Sequence, residues 1–304
     1  MRVLVVNAGS TSLKLSIVGD AEAREEVASL EGLPPDVAAA GHRVVHGGSR
    51  FRAPVLVDDE VRAAIDELSD LAPLHNAPAL LALDEARAAL PGVPHVAVFD
   101  TAFHATMPDR ATTYAVPVRW REEWGLRRYG FHGLSVAWAA EQVPVRRLVV
   151  CHLGGGCSVT AVLEGRSIDT TMGFSPLEGV PMATRSGSVD PGALLYLLRR
   201  RGLALEELDH ALEHESGLAA LGGLDDPLGF DVYAYRVAQA VAAMAAALAG
   251  IDAVAFTGGV GENRADVRAA VVERLGFLGG LRVEVVAARE DVIVARAVRR
   301  LLAP

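Results

Sequence analysis

The chain has 304 residues, long enough for two ordinary domains with substantial buried cores. Hydrophobic residues make up 51% of it, with abundant Ala, Val, Leu and Gly, the composition of a soluble α/β protein. A net charge of −9 argues against a nucleic-acid or anionic-membrane binder, so an anionic substrate has to be met by local positive charge.

Residues 2–18 read as strand, turn, strand, and they hold Lys14, the only lysine among 29 basic residues. It follows the Gly/Ser/Thr turn of "VNAGSTSLK". It reads either as an exposed strand lysine or as a compact point charge for phosphates, helped by the hydroxyls of Ser10 and Ser12. Apolar residues at three- and four-residue spacing predict helices over 59–71 and 77–90. The run "VPHVAVFD" (93–100) ends in a carboxylate, as a buried parallel strand does when it delivers a polar group to a sheet edge. Asp100 is therefore either a structural cap or a group that orients a metal-bound water.

A second strand, turn and strand follow at 147–165, "RLVVCHLGGGCSVTAVLEG", with the same grammar as the first. This internal echo predicts two related domains, each opening with a hairpin. Cys151 and Cys157 are too few for a disulfide framework or a zinc site and point to a reducing compartment. The first strand comes without a signal-peptide pattern, so a cytoplasmic protein is expected. The apolar run 240–251 is well short of the ~20 residues a bilayer needs and reads as a buried helix. A third glycine turn lies in 254–276, where a strand breaks at Gly258–Gly259 and a helix is predicted to begin near Asn263–Arg264. Open backbone N–H groups and helix N-termini suit phosphates. Three such turns, each after an apolar strand, point to a nucleotide cleft between two domains.

Arg43 in "GHRVVHGG" and Arg185 in "MATRSGSVDPG" sit among glycines and small residues. A buried guanidinium without a partner is expensive, and a bidentate anion is a natural resolution. Among His42, His46, His75, His104, His132 and His152, composition does not separate satisfied core histidines from site residues.

Taken in order, "VNAGSTSLK", "GHRVVHGG", "APLHNAP", "VFDTAFH", "RYGFHGLS", "HLGGGCS", "DTTMGFSPLEGVPMATRSG" and "FTGGVGEN" resemble the acetate kinase family over most of the chain. The resemblance implies an α/β fold of the sugar kinase, Hsp70 and actin type, in which two duplicated ribonuclease-H-like domains close on a central nucleotide cleft. The boundaries it implies are 1–101, completed by a C-terminal helix at 291–304, and 102–290. It also implies reversible phosphoryl transfer from ATP to acetate, giving acetyl phosphate and ADP. By the same resemblance, Arg43 and Arg185 hold the carboxylate and the transferring phosphoryl group. Asp100 stays ionised beside the metal and His132 donates to phosphoryl oxygens. Asn7 and Glu290 support Mg²⁺, with Mn²⁺ as the alternative ion. Ser10, Ser12, Lys14, His152, Gly154, Gly155 and Gly156 contact phosphates, while Gly259, Gly261 and Asn263 line the nucleoside. Val45, Leu74, Phe131 and Pro176 line the acyl pocket, with His75 also at the substrate. The family's homodimer is expected here, with the apolar helix at 232–250 a candidate interface, and neither nucleic acid nor membrane is expected as a partner.

The chain also departs from the family pattern. It is shortened between Lys14 and Arg43, around 217–231 and between Phe277 and Val285. Gly155 stands where an asparagine is usual, Cys157 replaces a serine, Ser188 replaces an aspartate, and Pro227 falls near where an arginine is expected. The catalytic set is complete while the nucleotide-holding set is eroded. Two further readings follow: a propionate or other short-chain acyl kinase, and a non-catalytic nucleotide- or acyl-phosphate-binding protein.

Overall fold

Apolar, β-branched runs buried on both faces form the central strands of two sheets. The computed structural model describes residues 1–8, 13–69 and 73–303, the side chains of 73–75 excepted. The first sheet contains β1 (Arg2–Ala8), β2 (Leu13–Val18), β3 (Arg24–Val27), β4 (Val37–Val44), β5 (Val55–Leu56) and β6 (His95–Phe99), in the order β3-β2-β1-β4-β6-β5. β1, β2 and β3 form an antiparallel meander, and β4 and β6 continue parallel to β1.

Alternation along β1 sends its side chains into two separate cores. Val3 and Val5 pack with Ala39, Val96 and Val98 beneath Val294, Ala295 and Val298 of the helix Glu290–Leu302. Leu4 and Val6 face the other way, onto Ala79, Ala82 and Ala86 of the helix Pro73–Ala89. Each fully buried Val or Leu stabilises by roughly 1.5–3 kcal/mol. Gly41 on β4 is required by the first of these contacts. A β-carbon there would lie 2.5 Å from Val294 Cγ1 and 2.8 Å from Val298 Cγ2.

The second sheet contains β7 (Arg147–Leu153), β8 (Cys157–Leu163), β9 (Arg166–Thr170), β10 (Ala253–Thr257) and β11 (Arg282–Val285), in the order β11-β10-β7-β8-β9. Again three antiparallel strands are followed by two parallel to the first of them. The echo between 2–18 and 147–165 is therefore a repeat of topology as well as of sequence. The helix Pro227–Ala247 buries Tyr233, Ala234, Val237, Val241 and Met244 on one face, while Tyr235, Arg236 and Gln239 on the other are exposed.

Element ends differ from expectation where local hydrogen bonding intervenes. The helix expected over 59–71 runs Asp59–Asp66, capped by Asp58, whose carboxylate accepts from Val61 N at 2.7 Å. It closes in a tightened turn, Leu68 N donating to Ile65 O. The helix expected to begin near Asn263 begins at Gly258, ends at Asn263, and is followed by a second, Ala265–Arg274. Among the described residues no helix is long and apolar enough to cross a membrane.

Packing divides the chain into two units. The first comprises Met1–Ala105, Phe131–Trp138 and the chain from Arg289 on; the second comprises Thr106–Gly130 and Ala139–Ala288. These limits differ from the implied division at 101 and 290 chiefly because 131–138 packs with the first unit. Gly133 approaches the Asp100 carbonyl so closely that a β-carbon would lie 2.0 Å from its oxygen.

A buried imidazole pair bridges β4 and β6. His95 Nε2 lies 3.1 Å from the Leu90 carbonyl, which can only accept, so that nitrogen carries the proton. His95 Nδ1 then accepts from His42 Nε2 at 2.9 Å. His42 Nδ1 is left a buried acceptor with no partner among the described residues. Burial, reinforced by His95, pushes His42 down to about 3, and burial also lowers His95. The unfolded chain binds this proton near pH 6.5, while the folded chain does so only near pH 3. The contribution of His42 to stability is thus complete above pH 6.5 and lost progressively below it. Unfolding at pH 5 is expected to be easier than at pH 7 by on the order of 2 kcal/mol on this account alone. Denaturant titrations of the chain and of a His42→Asn variant check this; an equal acid loss in both would remove His42 as the cause.

Candidate active site

Strand alternation decides which side chains meet at the edge of the first sheet. Val3 and Val5 face the helix Glu290–Leu302, so Asn7, two residues on, faces the same side. Arg43 is the partner of Asn7 in the parallel β1–β4 ladder, and Val98 is the partner of Arg43 on β6, which places Asp100 next along that face. Three polar side chains thus stand in a row at the carboxyl ends of three parallel strands, the edge where open α/β sheets bind ligands.

Arg43 forks onto Asp100. Its Nε lies 3.2 and 3.1 Å from the two carboxylate oxygens, and Nη2 lies 2.6 Å from Oδ2. Nη1 donates to Asn7 Oδ1 at 3.0 Å, and Asn7 Nδ2 donates in turn to Glu290 Oε2 at 3.2 Å. Glu290 Oε2 is also 3.7 Å from Arg43 Nη1. The Asp100 side chain is fully buried and that of Arg43 is 13% exposed. A carboxylate at that depth is tolerated only beside a compensating cation. Burial pushes the Asp100 carboxyl up, while Arg43 and the Leu134 backbone N–H pull against it. Burial likewise opposes the charge on Arg43, but Asp100 and Glu290 outweigh it and hold the guanidinium above its ordinary value.

The segment 131–138 closes over this row. His132 adopts a left-handed backbone (φ 59°), and the helix Gly133–Gln142 begins at the next residue, its Leu134 N–H donating to Asp100. Phe131 is buried, its ring meeting His46 edge-on at 5.3 Å and its carbonyl accepting from His104 Nε2 at 2.9 Å. Val45 is also buried in this unit. His46 is tied to Asn76 through paired main-chain and amide hydrogen bonds of 3.1 and 3.0 Å. His42, His46 and His104 are thus satisfied or buried core groups. Lys14 lies on β2 opposite Asn7 in register, with an exposed side chain. Ser10 and Ser12, and the side chains of Leu74 and His75, lie outside the described residues.

The remaining expected residues belong to the second unit. His152, at the end of β7, is paired with Thr257 of β10. A β-carbon at Gly154 would stand 3.7 Å from both His152 Nε2 and Gly259 N, and one at Gly261 would stand 3.6 Å from the Cys151 carbonyl oxygen. His152, Gly154, Gly259 and Gly261 are therefore gathered at one sheet edge, and Asn263 joins them by donating to the Gly259 carbonyl at 2.8 Å. Gly155 and Gly156 complete the turn, which closes with Gly154 N donating to Gly156 O at 3.0 Å. Gly155 has open space where a side chain would project. The N–H groups here are less open than expected, because Glu262 Oε1 accepts from Gly258 N and Ala288 N, both at 3.0 Å. Arg185 is 12% exposed, with Nε 3.1 Å from Glu213 Oε2 and Nη1 donating to the carbonyl of buried Pro176 at 3.2 Å.

Sequence reading missed several groups. Glu213 lies outside every motif, and "FTGGVGEN" does not reveal what its Glu262 binds or that the buried Thr257 hydroxyl has no partner among the described residues. The network of Tyr114, Glu178 and Arg128 spans distant segments, with Arg128 Nη2 donating to Glu178 Oε1 at 2.8 Å and Tyr114 OH donating to Glu178 Oε2. It anchors the loop that carries Pro176, Phe174 N donating to the Tyr114 phenolic oxygen at 3.0 Å.

The sequence pattern of the acetokinase family matches residues 29–295. The chain belongs to the acetate kinase family. An acetate kinase from Deinococcus deserti is 50% identical over 281 residues, 84% of this chain and 70% of its own. One from Protochlamydia amoebophila is 46% identical over 282 residues, 86% of this chain and 69% of its own. Among solved structures, a propionate kinase from Francisella tularensis superposes with a TM-score of 0.89 at 29% identity, covering 97% of this chain and 98% of that one. An acetate kinase from Porphyromonas gingivalis does so with a TM-score of 0.83 at 29% identity, covering 99% of each. Membership in the acetate kinase family makes this chain a phosphotransferase with a carboxylate acceptor, built on two duplicated α/β sheets.

Gly133 gives a direct check on how the first row of residues is held. Gly133→Ala forces a methyl group against the Asp100 carbonyl and is expected to cost about 1–3 kcal/mol. Calorimetry should show a melting temperature several degrees lower; an unchanged value would show the contact to be slack.

Proposed function

We propose that this chain catalyses the reversible transfer of the γ-phosphoryl group of ATP to acetate, giving acetyl phosphate and ADP. The observation that carries the reading is the Arg43–Asp100 fork, with Asn7 and Glu290 beside it, at the strand ends of a chain in this family. In the forward direction an acetate oxygen bonds to the γ-phosphorus as the bond to the β,γ-bridging oxygen breaks, and ADP leaves with that electron pair. Acetate is already anionic at pH 7, so no base has to deprotonate it. What the protein supplies is fixed positive charge and donors for the charge on the equatorial oxygens. We assign Arg43 and Arg185 to the carboxylate and the transferring group, and His132 to the phosphoryl oxygens.

Asn7, Asp100 and Glu290 offer oxygen donors of the hard type that Mg²⁺ takes, in the small number it uses when phosphates and water complete its shell. No group of three His, Cys, Asp or Glu side chains that could hold a metal is found among the described residues. Bound there, the ion would offset charge on the phosphate oxygens. Lys14, His152, Gly154, Gly155 and Gly156, with Ser10 and Ser12, are assigned to phosphates, and Gly259, Gly261 and Asn263 to the nucleoside. A cytoplasmic homodimer is also proposed. Its interface has to use something other than the inner face of the helix Pro227–Ala247, which is core. A dimer mass in light scattering at micromolar concentration is expected, and a monomer mass would remove this part.

Propionate is the second reading, favoured by the superposition on a propionate kinase. Val45, Phe131 and Pro176 are apolar and buried and, with Leu74 and His75, are assigned to the acyl group. An apolar pocket discriminates one methylene by only ~1–3 kcal/mol, so selectivity is graded. Trapping the acyl phosphate as its hydroxamate is expected to give kcat/KM values in the order acetate, propionate, butyrate. Butyrate ahead of acetate would overturn the acetate assignment, and no hydroxamate from any acid would overturn the kinase.

Arg43→Ala, measured on protein shown to be folded, is expected to lower kcat by at least ~100-fold, the scale of a lost transition-state cation. Arg43→Lys is expected to rescue little, because an ammonium cannot reproduce the fork onto Asp100. Near-normal turnover in the alanine variant would remove Arg43 from the reaction.

A further inference from the structure

We propose that Glu213 is a positioning residue for phosphoryl transfer, acting only through Arg185; this rests on the assignment of Arg185 above. Glu213 lies in the last turn of the helix Leu205–His214, in a part of the sequence without a motif. Its carboxylate and the Arg185 guanidinium are 14% and 12% exposed, so the two charges face each other largely out of water. The 3.1 Å approach of Nε to Oε2 is off the line of a hydrogen bond, and Oε2 has no hydrogen-bond donor among the described residues. Charge therefore holds this pair, not direction. That distinction matters, because an amide in place of the carboxylate would have the same shape and lose the attraction.

The main chain around both residues is fixed independently. Ser186 N donates to Leu212 O at 3.0 Å, and the Thr184 hydroxyl donates to Glu213 O at 2.8 Å. Ser216 N donates to Thr184 O at 2.9 Å, and Leu218 N donates to Met182 O at 2.8 Å. Gly217 permits the close approach: it has φ +63°, and a β-carbon there would lie 2.3 Å from Met182 O and 2.5 Å from Arg185 O. With the backbones tied together, removing the Glu213 charge leaves the loop in place and withdraws the one full negative charge paired with Arg185 among the described ion pairs, which loosens the aim of its side chain. The Pro176 carbonyl on Nη1 is a neutral acceptor and cannot replace the lost charge. A guanidinium displaced by a fraction of an ångström is a poorer partner for charge developing on a phosphoryl group.

The test is a double-mutant cycle on the full-length chain, with acetate and MgATP as substrates and hydroxamate trapping as the assay. Glu213→Gln is expected to lower kcat roughly tenfold in the parent chain and to change it less than about twofold in an Arg185→Ala background. The double variant is also expected to melt above Arg185→Ala alone, because that variant buries an uncompensated carboxylate. An equal loss of kcat in both backgrounds would make Glu213 merely structural and overturn the proposal. So would an unchanged kcat for Glu213→Gln in the parent chain while Arg185→Ala is crippled. If Arg185→Ala itself turns over normally, the assignment of Arg185 fails and this inference falls with it. Should Glu213→Gln not fold, Glu213→Asp, which withdraws the charge by one methylene, runs the same cycle with the same outcomes.

Discussion

A buried carboxylate is the constraint around which the first unit is organised. Asp100 has no solvent exposure, and its charge is met by the Arg43 fork and one backbone N–H. Removing one member of such a pair typically costs 3–5 kcal/mol, whereas replacing both with well-packed apolar residues is often neutral or better. Stability alone therefore does not explain why the pair is there. Its neighbours show what it supports: Gly133 lets the helix behind it approach, and Asn7 and Glu290 extend the polar row.

The second unit answers a similar demand differently. Its glycine turn is shaped from beneath by Cys157, whose thiol donates to the Gly154 carbonyl at 3.4 Å and meets the Tyr233 hydroxyl at 3.1 Å. Burial pushes this thiol up, so it serves as a neutral weak donor and packing group. Arg185 meets a carboxylate, a carbonyl and the Met182 sulfur, and its approach to Glu213 is not the two-pronged fork that Arg43 makes onto Asp100. One arginine is locked by geometry and the other is held by charge.

Much of this was legible in the sequence, for identifiable reasons. The apolar run ending in Asp100 announced a buried strand with a polar tip, and period-two alternation made Asn7 and Val3 share a face. The repeated strand–turn–strand grammar announced the repeated topology. What sequence could not show was pairing between remote elements. His42 and His95 look like any two histidines until the parallel β4–β6 ladder brings them together. Glu213 looks like one of several solvated acids in its helix until the chain from 182 to 186 folds against it. Glycine turns promised open N–H groups, but Glu262 had already claimed one of them. The fates of such groups are set by tertiary contact, to which local pattern is blind.

Closure of the first sheet by the helix Glu290–Leu302 has a consequence for how the polypeptide matures. Asn7 and Glu290 touch across 283 residues, and Gly41 keeps a slot for valines that come nearly as late. During synthesis β1, β4 and β6 emerge long before the segment that covers them, so one apolar face waits while the second unit is made. That face, lined by Val3, Val5, Ala39 and Val96, is what a nascent chain shows to chaperones or to other nascent chains. The polar row is finished in the same event that buries it, since the covering helix brings Glu290 in its first turn. A ribosome that stalls before this helix releases a chain with an open hydrophobic flank and an incomplete site.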